Sequence, residues 1–119
     1  MKIKKVVEFE IDDKIAESII KLNNKGYETA MCCSGHPDEK EIIPYVMFNR
    51  FVSCRIEYIP FSWVVDKNYK ELVIRRFFTD EEKEIFTKEQ LIDIAAKELD
   101  NWVDSLSEFK NPYQEMEVI

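Results

Sequence analysis

Glycine, cysteine and histidine are scarce in this chain, and their positions narrow the search for a site. Two glycines, three cysteines and one histidine occur among 119 residues. Both glycines, the histidine and two of the cysteines fall in one stretch, Gly26-Tyr27-Glu28-Thr29-Ala30-Met31-Cys32-Cys33-Ser34-Gly35-His36. Glycine serves where the backbone must adopt conformations that other residues avoid. This stretch is therefore the first candidate for a functional site.

The sequence also lacks a disulfide framework and long apolar runs. Three cysteines cannot all pair, and two of them are adjacent, which favours thiols in a reducing compartment. No run approaches the length of a membrane span, and the N-terminus is charged where a secretory signal would be apolar. We therefore expect a cytoplasmic protein without membrane contact.

An excess of basic residues is missing as well. The formal net charge is -7, whereas extended contact with nucleic-acid phosphates needs a surplus of Lys and Arg. With 119 residues, 45% of them hydrophobic, the chain can bury a core of its own. We therefore expect a single domain over residues 1–119, and the composition leaves a homodimer open.

Periodicity along the first half of the chain predicts alternating strands and helix. Residues 2–11 alternate between apolar and polar side chains, which predicts a half-buried strand. Apolar residues from Ile15 to Leu22 recur at helical spacing, and Gly26 is suited to end that helix. Residues 27–33 and 43–48 are predicted strands, joined by a polar loop.

The second half predicts a hairpin followed by helices. Residues 64–78 contain two apolar segments around a turn at Asn68. Thr79 and Thr87 each begin a capping box, and the second box opens the longest helix, which ends at Asn111-Pro112. The order β-α-β-β-β-β-α predicts an α+β fold, a two-layer sandwich of a mainly antiparallel sheet and two main helices.

The turn at the end of the central stretch offers hydrogen-bond donors to an anion. Gly35 lets successive backbone N–H groups converge into an anion-binding nest. Thr29, Ser34 and His36 can add side-chain hydrogen bonds, and Cys33 lies beside them in sequence. This pattern predicts a phosphate or carboxylate site that needs no cofactor. The alternative is an ordinary tight turn, in which Ser34 and Gly35 satisfy backbone geometry.

The same residues suggest two further chemistries. Cys33 could be a nucleophile activated by His36, because a nearby imidazolium favours the thiolate, although no third residue that orients the base is evident. Cys32, Cys33, Cys54 and His36 are potential soft metal ligands. Adjacent strand residues point to opposite faces, however, so Cys32 and Cys33 do not easily share one ion. We therefore expect no metal site and at least one cysteine in the core.

Two arginines in the hairpin are the remaining ligand candidates. Arg75 and Arg76 lie between Val73-Ile74 and Phe77-Phe78, and strand alternation places them on opposite faces. One is expected to cover the sheet surface with its guanidinium in solvent. The other could bind a phosphate or carboxylate through two hydrogen bonds.

The motif Gly-Tyr-x-Thr-x-x-Cys-Cys-Ser-Gly-His, followed by Pro44-Tyr45-Val46-Met47-Phe48, resembles a family of small uncharacterised proteins of Gram-positive bacteria and their phages. That resemblance covers most of the chain and implies no activity. More remotely, residues 29–35 are similar to the Ser-Cys-Ser-Gly-Arg signature of the wybutosine-synthesis methyltransferases. This second resemblance implies an S-adenosylmethionine site and a tRNA substrate. Cys33, Ser34 and Gly35 match its signature, whereas His36 replaces the arginine.

Three functional hypotheses follow. The first is a cytoplasmic binding protein for a small anionic metabolite or nucleotide, such as a phage nucleotide-signal sponge. Its predicted ligand-binding residues are Thr29, Cys33, Ser34, Gly35, His36, Arg75 and Arg76. The second is an enzyme, either thiol-dependent through Cys33 and His36 or related to the methyltransferases. The third is a protein-binding adaptor that uses the acidic helical face after residue 79.

Overall fold

The computed structural model describes residues 14–49, 52 and 56–108. These residues form helices and an antiparallel sheet, which confirms the predicted α+β class. The elements are α1 (Ala16–Asn24), β1 (Thr29–Cys33), β2 (Tyr45–Phe48), β3 (Val64–Val65), β4 (Val73–Arg75), α2 (Asp80–Ile85) and α3 (Lys88–Ser105). The strand predicted for residues 2–11 and Cys54 both lie outside the described residues. The helix predicted to end at Asn111-Pro112 ends earlier, at Ser105, because Leu106 adopts an extended backbone.

The strands pair in the order β1-β2-β4-β3, and each pair is antiparallel. The predicted hairpin is β3 and β4, and its turn is closed by the Asn68 N–H, which donates to Asp66 Oδ1 at 3.0 Å. Strand register aligns Cys33, Tyr45, Arg75 and Val64 in one row across the sheet. Residues in one row share a face, so Cys33 and Arg75 lie on the same side of the sheet.

The neighbouring row faces the hydrophobic core. Val46 and Ile74 are fully buried, and Cys32 packs against the same core. Helices α1 and α3 cover this face, with the ring of Trp102 edge-on to Phe48 at a centroid distance of 6.1 Å. The buried residues of α3 are Leu91, Ile92, Ala95, Leu99, Trp102 and Val103. Helices and sheet thus form the two predicted layers.

Polar contacts join the beginning of the described chain to its end. Ser18 Oγ donates to Asp100 Oδ1 at 2.9 Å. Lys25 Nζ donates to the carbonyl oxygens of Val103 at 2.7 Å and Leu106 at 2.9 Å, where α3 ends. A cation at a helix C-terminus satisfies carbonyls that have no partner within the helix. These contacts stabilise the packing of α1 on α3.

Local signals read from the sequence set several element ends. Gly26 has φ +97° just after α1, as a helix-ending glycine should. Thr79 and Thr87 both form complete capping boxes, at the starts of α2 and α3. Among the described residues, no helix combines the length and apolar character needed to cross a membrane.

Candidate functional site

The candidate turn runs from the end of β1 through residues 34–41. Gly35 has φ +87°, a backbone conformation that residues with a side chain rarely adopt. A Cβ at this position would lie 2.7 Å from Ile42 Cγ2. Ser34 and Gly35 are both buried. The turn therefore requires glycine at position 35 for both conformation and space.

Two backbone amides of the turn, those of Gly35 and His36, donate to side chains of the same turn. The Gly35 N–H lies 3.4 Å from Cys33 Sγ, and the His36 N–H donates to Glu39 Oε1 at 2.9 Å. The Glu39 N–H donates to the His36 carbonyl oxygen at 3.0 Å, which closes the turn. Two of the amides predicted to form an anion nest thus orient a thiol and a carboxylate instead.

Cys33, His36 and Glu39 form a cluster of three potential ligands or catalytic groups. Cys33 Sγ lies 3.9 Å from His36 Nε2. One ligand atom from each of the three residues lies within 4.8 Å of the other two. Cys33 is half-buried, whereas His36 and Glu39 are exposed. The cluster is therefore open to solvent on the side of the histidine and the carboxylate.

The sequence predictions included Cys33 and His36 but missed Glu39. The three residues are spaced evenly along the chain, as Cys33-x-x-His36-x-x-Glu39. That spacing within a polar, proline-containing loop is the signal that could have identified the glutamate. Cys32 lies on the core side of β1, as the prediction of one core cysteine requires.

Thr29 lies away from this cluster. It begins β1, and Cys33 ends it, four residue steps or about 13 Å further along the extended strand. Its hydroxyl accepts a hydrogen bond from Asn23 Nδ2 at 3.1 Å, and its N–H donates to Asn23 Oδ1 at 3.1 Å. These two bonds fix the connection between α1 and β1.

Arg75 shares the row of Cys33 but lies two strands away. Tyr45 stands between them in the register, and the Arg75 guanidinium lies 5.0 Å from the centre of its ring. Arg75 Nε also donates to Asp66 Oδ2 at 2.6 Å. That hydrogen bond, with a second from the Asn68 N–H, lowers the pKa of Asp66. Arg75 thus stabilises the β3–β4 hairpin.

Arg76 points to the opposite side, as strand alternation predicted, and is only 4% exposed. Its Nε donates to Glu98 Oε1 at 2.8 Å and its Nη2 to Glu82 Oε2 at 2.9 Å. Burial disfavours the charged guanidinium, but the hydrogen bonds to Glu82 and Glu98 outweigh this, so the pKa of Arg76 is raised. Two carboxylates of the protein itself thus accept the hydrogen bonds that Arg76 was expected to offer to a ligand.

The ion pair of Arg76 predicts a pH-dependent contribution to stability. The hydrogen bond from Arg76, and then that from the Thr79 N–H, lower the pKa of Glu82 from 4.5 to about 2. A carboxyl whose pKa is lower in the folded state stabilises the fold above its unfolded pKa. This contribution should be complete near neutral pH and decline as pH falls from about 5 to about 2.

The measurement is urea unfolding of the wild type and of Glu82→Gln at several pH values. The difference in unfolding free energy between the two proteins should be largest near pH 7 and shrink towards pH 2. A difference that is constant over this range would contradict the assigned ion pair.

Of the predicted site residues, Cys33, Gly35 and His36 are brought together with Glu39, and Ser34 is buried within the same turn. Comparison of the chain with protein-family models, with curated proteins and with solved structures found no match. The function is therefore argued from the geometry of these side chains.

Proposed function

We propose that the chain binds a thiophilic divalent metal ion, zinc above all, through Cys33, His36 and Glu39. The observation that carries the proposal is the approach of one ligand atom from each residue to within 4.8 Å of the others. Thiolate, imidazole and carboxylate are the three side-chain ligands that zinc uses in proteins. This ligand set differs from the one considered in the sequence, which contained Cys32 and Cys54.

The distance between sulfur and nitrogen suits a tetrahedral ion. Zinc lies about 2.3 Å from sulfur and about 2.0 Å from nitrogen, which places two such ligands about 3.5 Å apart in tetrahedral geometry. Cys33 Sγ and His36 Nε2 are 3.9 Å apart. Small rotations of the exposed His36 and Glu39 side chains are sufficient to close the site around an ion.

Hydrogen bonds within the turn prepare two of the ligands. The Gly35 N–H is directed at Cys33 Sγ and would stabilise the thiolate form that binds a metal. The His36 N–H holds Glu39 Oε1, so Oε2 can turn towards the ion. Such supporting hydrogen bonds orient ligands in metal sites. This backbone support favours metal binding over the anion nest.

Three protein ligands leave a fourth position for water or a substrate. Zinc sites that perform chemistry have this open coordination, whereas structural sites bind four protein groups. The exposure of His36 and Glu39 gives a small molecule access to the fourth position. The geometry therefore supports either reversible metal binding or chemistry on a small ligand of the metal.

Metal titration tests the proposal with matched variants. Zinc affinity should fall by about 100-fold or more in Cys33→Ser and His36→Ala, since loss of a ligand exceeds the effect of losing its supporting bond. Glu39→Gln removes the charge but keeps an oxygen for the His36 N–H, and should weaken binding about tenfold. Calorimetry with zinc, and cobalt spectra that report thiolate coordination, provide the measurements.

Two substitutions serve as controls for this experiment. Cys32→Ser removes the adjacent thiol on the core side, and Glu41→Gln removes a carboxylate of the same turn that pairs with Lys83 at 3.1 Å. Both should bind zinc as the wild type does. The proposal fails if Cys33→Ser retains wild-type affinity, or if Cys32→Ser loses affinity to the same extent.

A thiol-dependent enzyme is the second candidate, supported by the 3.9 Å approach of His36 Nε2 to Cys33 Sγ. Alkylation of metal-free protein by iodoacetamide, followed by fragment mass spectrometry, separates it from the first. If His36 activates the thiol, His36→Ala should slow modification of Cys33 about tenfold or more. If the site binds metal, zinc should protect Cys33, and His36→Ala should abolish that protection.

A further inference from the structure

A pocket of about 370 Å³ lies between the end of the candidate turn and helices α2 and α3. Its volume falls within the range of small-molecule sites, about 300–1,000 Å³. One wall of the pocket is formed by residues 40–42, which follow Glu39 directly in the sequence. The residues that line the pocket are Lys40, Glu41, Ile42, Phe78, Lys83, Phe86, Lys88 and Leu91.

The pocket combines an apolar base with a basic rim. Ile42, Phe78 and Leu91 are buried core residues, and Phe86 is partly exposed just after α2. Such surfaces can take up one aromatic ring or a short alkyl chain from water. The lysines that line the pocket come from three elements, one from the turn, one from α2 and one from α3.

The charges on this rim are positive in total, although the chain carries -7. Lys83 Nζ pairs with Glu41 Oε1 at 3.1 Å, which neutralises one cation. Lys88 Nζ donates to the carbonyl oxygen of Glu39 and keeps its charge. Lys40 is exposed beside them. Glu82, on the same helix as Lys83, is directed at Arg76.

We propose that this pocket binds a small amphipathic anion, with a ring or short alkyl chain on the apolar base and a carboxylate or phosphate at the lysines. Charge complementarity selects the anion, because the lysines of the rim outnumber its single glutamate. Burial of the apolar part supplies affinity that a screened surface charge does not. This site is separate from the metal ligands and does not depend on them.

The test uses anilinonaphthalene sulfonate, a fluorescent aromatic anion, and the uncharged N-phenylnaphthylamine. The anion should bind the wild type, and the double variant Lys40→Gln with Lys83→Gln should weaken that binding about tenfold, since two of the three cations that line the pocket are removed. The matched control is Lys70→Gln with Lys97→Gln. These two exposed lysines lie outside the pocket, so their substitution should leave binding of the anion unchanged. Near-ultraviolet circular dichroism confirms that each variant is folded.

Competition then distinguishes the anionic groups. Benzoate and phenyl phosphate should displace the fluorescent anion, and the stronger competitor identifies the preferred group. Phe86→Ser should weaken both the charged and the uncharged probe, because it removes apolar contact. The proposal is overturned if the wild type does not bind the anion, if neither competitor displaces it, or if the two pairs of lysine substitutions have equal effects. Loss of zinc binding in Cys33→Ser should leave this binding intact.

Discussion

Gly35→Ala is expected to destabilise the fold and to weaken metal binding at the same time. The added Cβ would lie 2.7 Å from Ile42 Cγ2, and the backbone would keep a φ of +87° that alanine disfavours. The strained backbone costs about 1–2 kcal/mol and the overpacking about 1–3 kcal/mol. Relief of the clash moves the Gly35 amide, whose hydrogen atom is directed at Cys33 Sγ. We therefore expect about 2–5 kcal/mol less stability and at least a tenfold weaker zinc affinity.

Gly26→Ala is the matched control for this substitution. Gly26 also has a positive φ, +97°, but it follows α1 and lies outside the candidate turn. Urea unfolding should show a loss of about 1 kcal/mol from the strained backbone, while zinc titration should match the wild type. A Gly35→Ala protein with normal stability and normal zinc affinity would show that the turn tolerates the Cβ and does not position Cys33.

Arg76→Leu is expected to be the most destabilising of the charge substitutions. It leaves the carboxylates of Glu82 and Glu98 without their cation. These two side chains are partly buried, with 27% and 21% of their surface exposed. Breaking a fully buried ion pair costs about 3–5 kcal/mol, and partial exposure reduces this to about 2–4 kcal/mol. The guanidinium carbon also lies 4.5 Å from the centre of the Phe78 ring, a contact that leucine replaces only in part.

Two further variants separate charge from packing. Arg75→Leu removes the neighbouring arginine on the opposite face, whose ion pair within the described residues is with the single carboxylate of Asp66, and should cost much less. Adding Glu82→Gln and Glu98→Gln to Arg76→Leu should recover part of the lost stability, since no uncompensated charge remains. Unfolding free energies from urea titration decide both points. Equal losses in Arg75→Leu and Arg76→Leu would contradict the structural role assigned to Arg76.

Features set by neighbouring residues could be predicted from the sequence. The helix end at Gly26 and the capping boxes at Thr79 and Thr87 depend on contacts within four residues. Strand alternation likewise separated Cys32 from Cys33 and Arg75 from Arg76, because the period of a strand is fixed. The antiparallel sheet followed from the order of these elements, and the fold class was predicted correctly for that reason.

The composition of the candidate site depended on contacts that no local pattern specifies. Glu39 lies in a turn whose backbone is held by Lys88, a residue 49 positions later in the sequence. The Lys88 ammonium donates a hydrogen bond to the carbonyl oxygen of Glu39. Arg76 pairs with Glu98, 22 residues later, and so serves the fold. Thr29 was grouped with the turn because it is close in sequence, yet an extended strand carries the chain away from it. Tertiary structure decided each of these positions.

The contacts between α1 and α3 have a consequence for the order of folding. Ser18 meets Asp100 across 82 residues, and Lys25 meets Val103 across 78. Closing a loop of this length costs conformational entropy before burial of the apolar helix faces can offset that cost. We therefore expect such contacts to form late in folding. Lys88, on the first turn of α3, holds the backbone of Glu39. The spacing of the three proposed metal ligands therefore depends on the docking of α3, and we expect zinc affinity to be lost when that docking is lost.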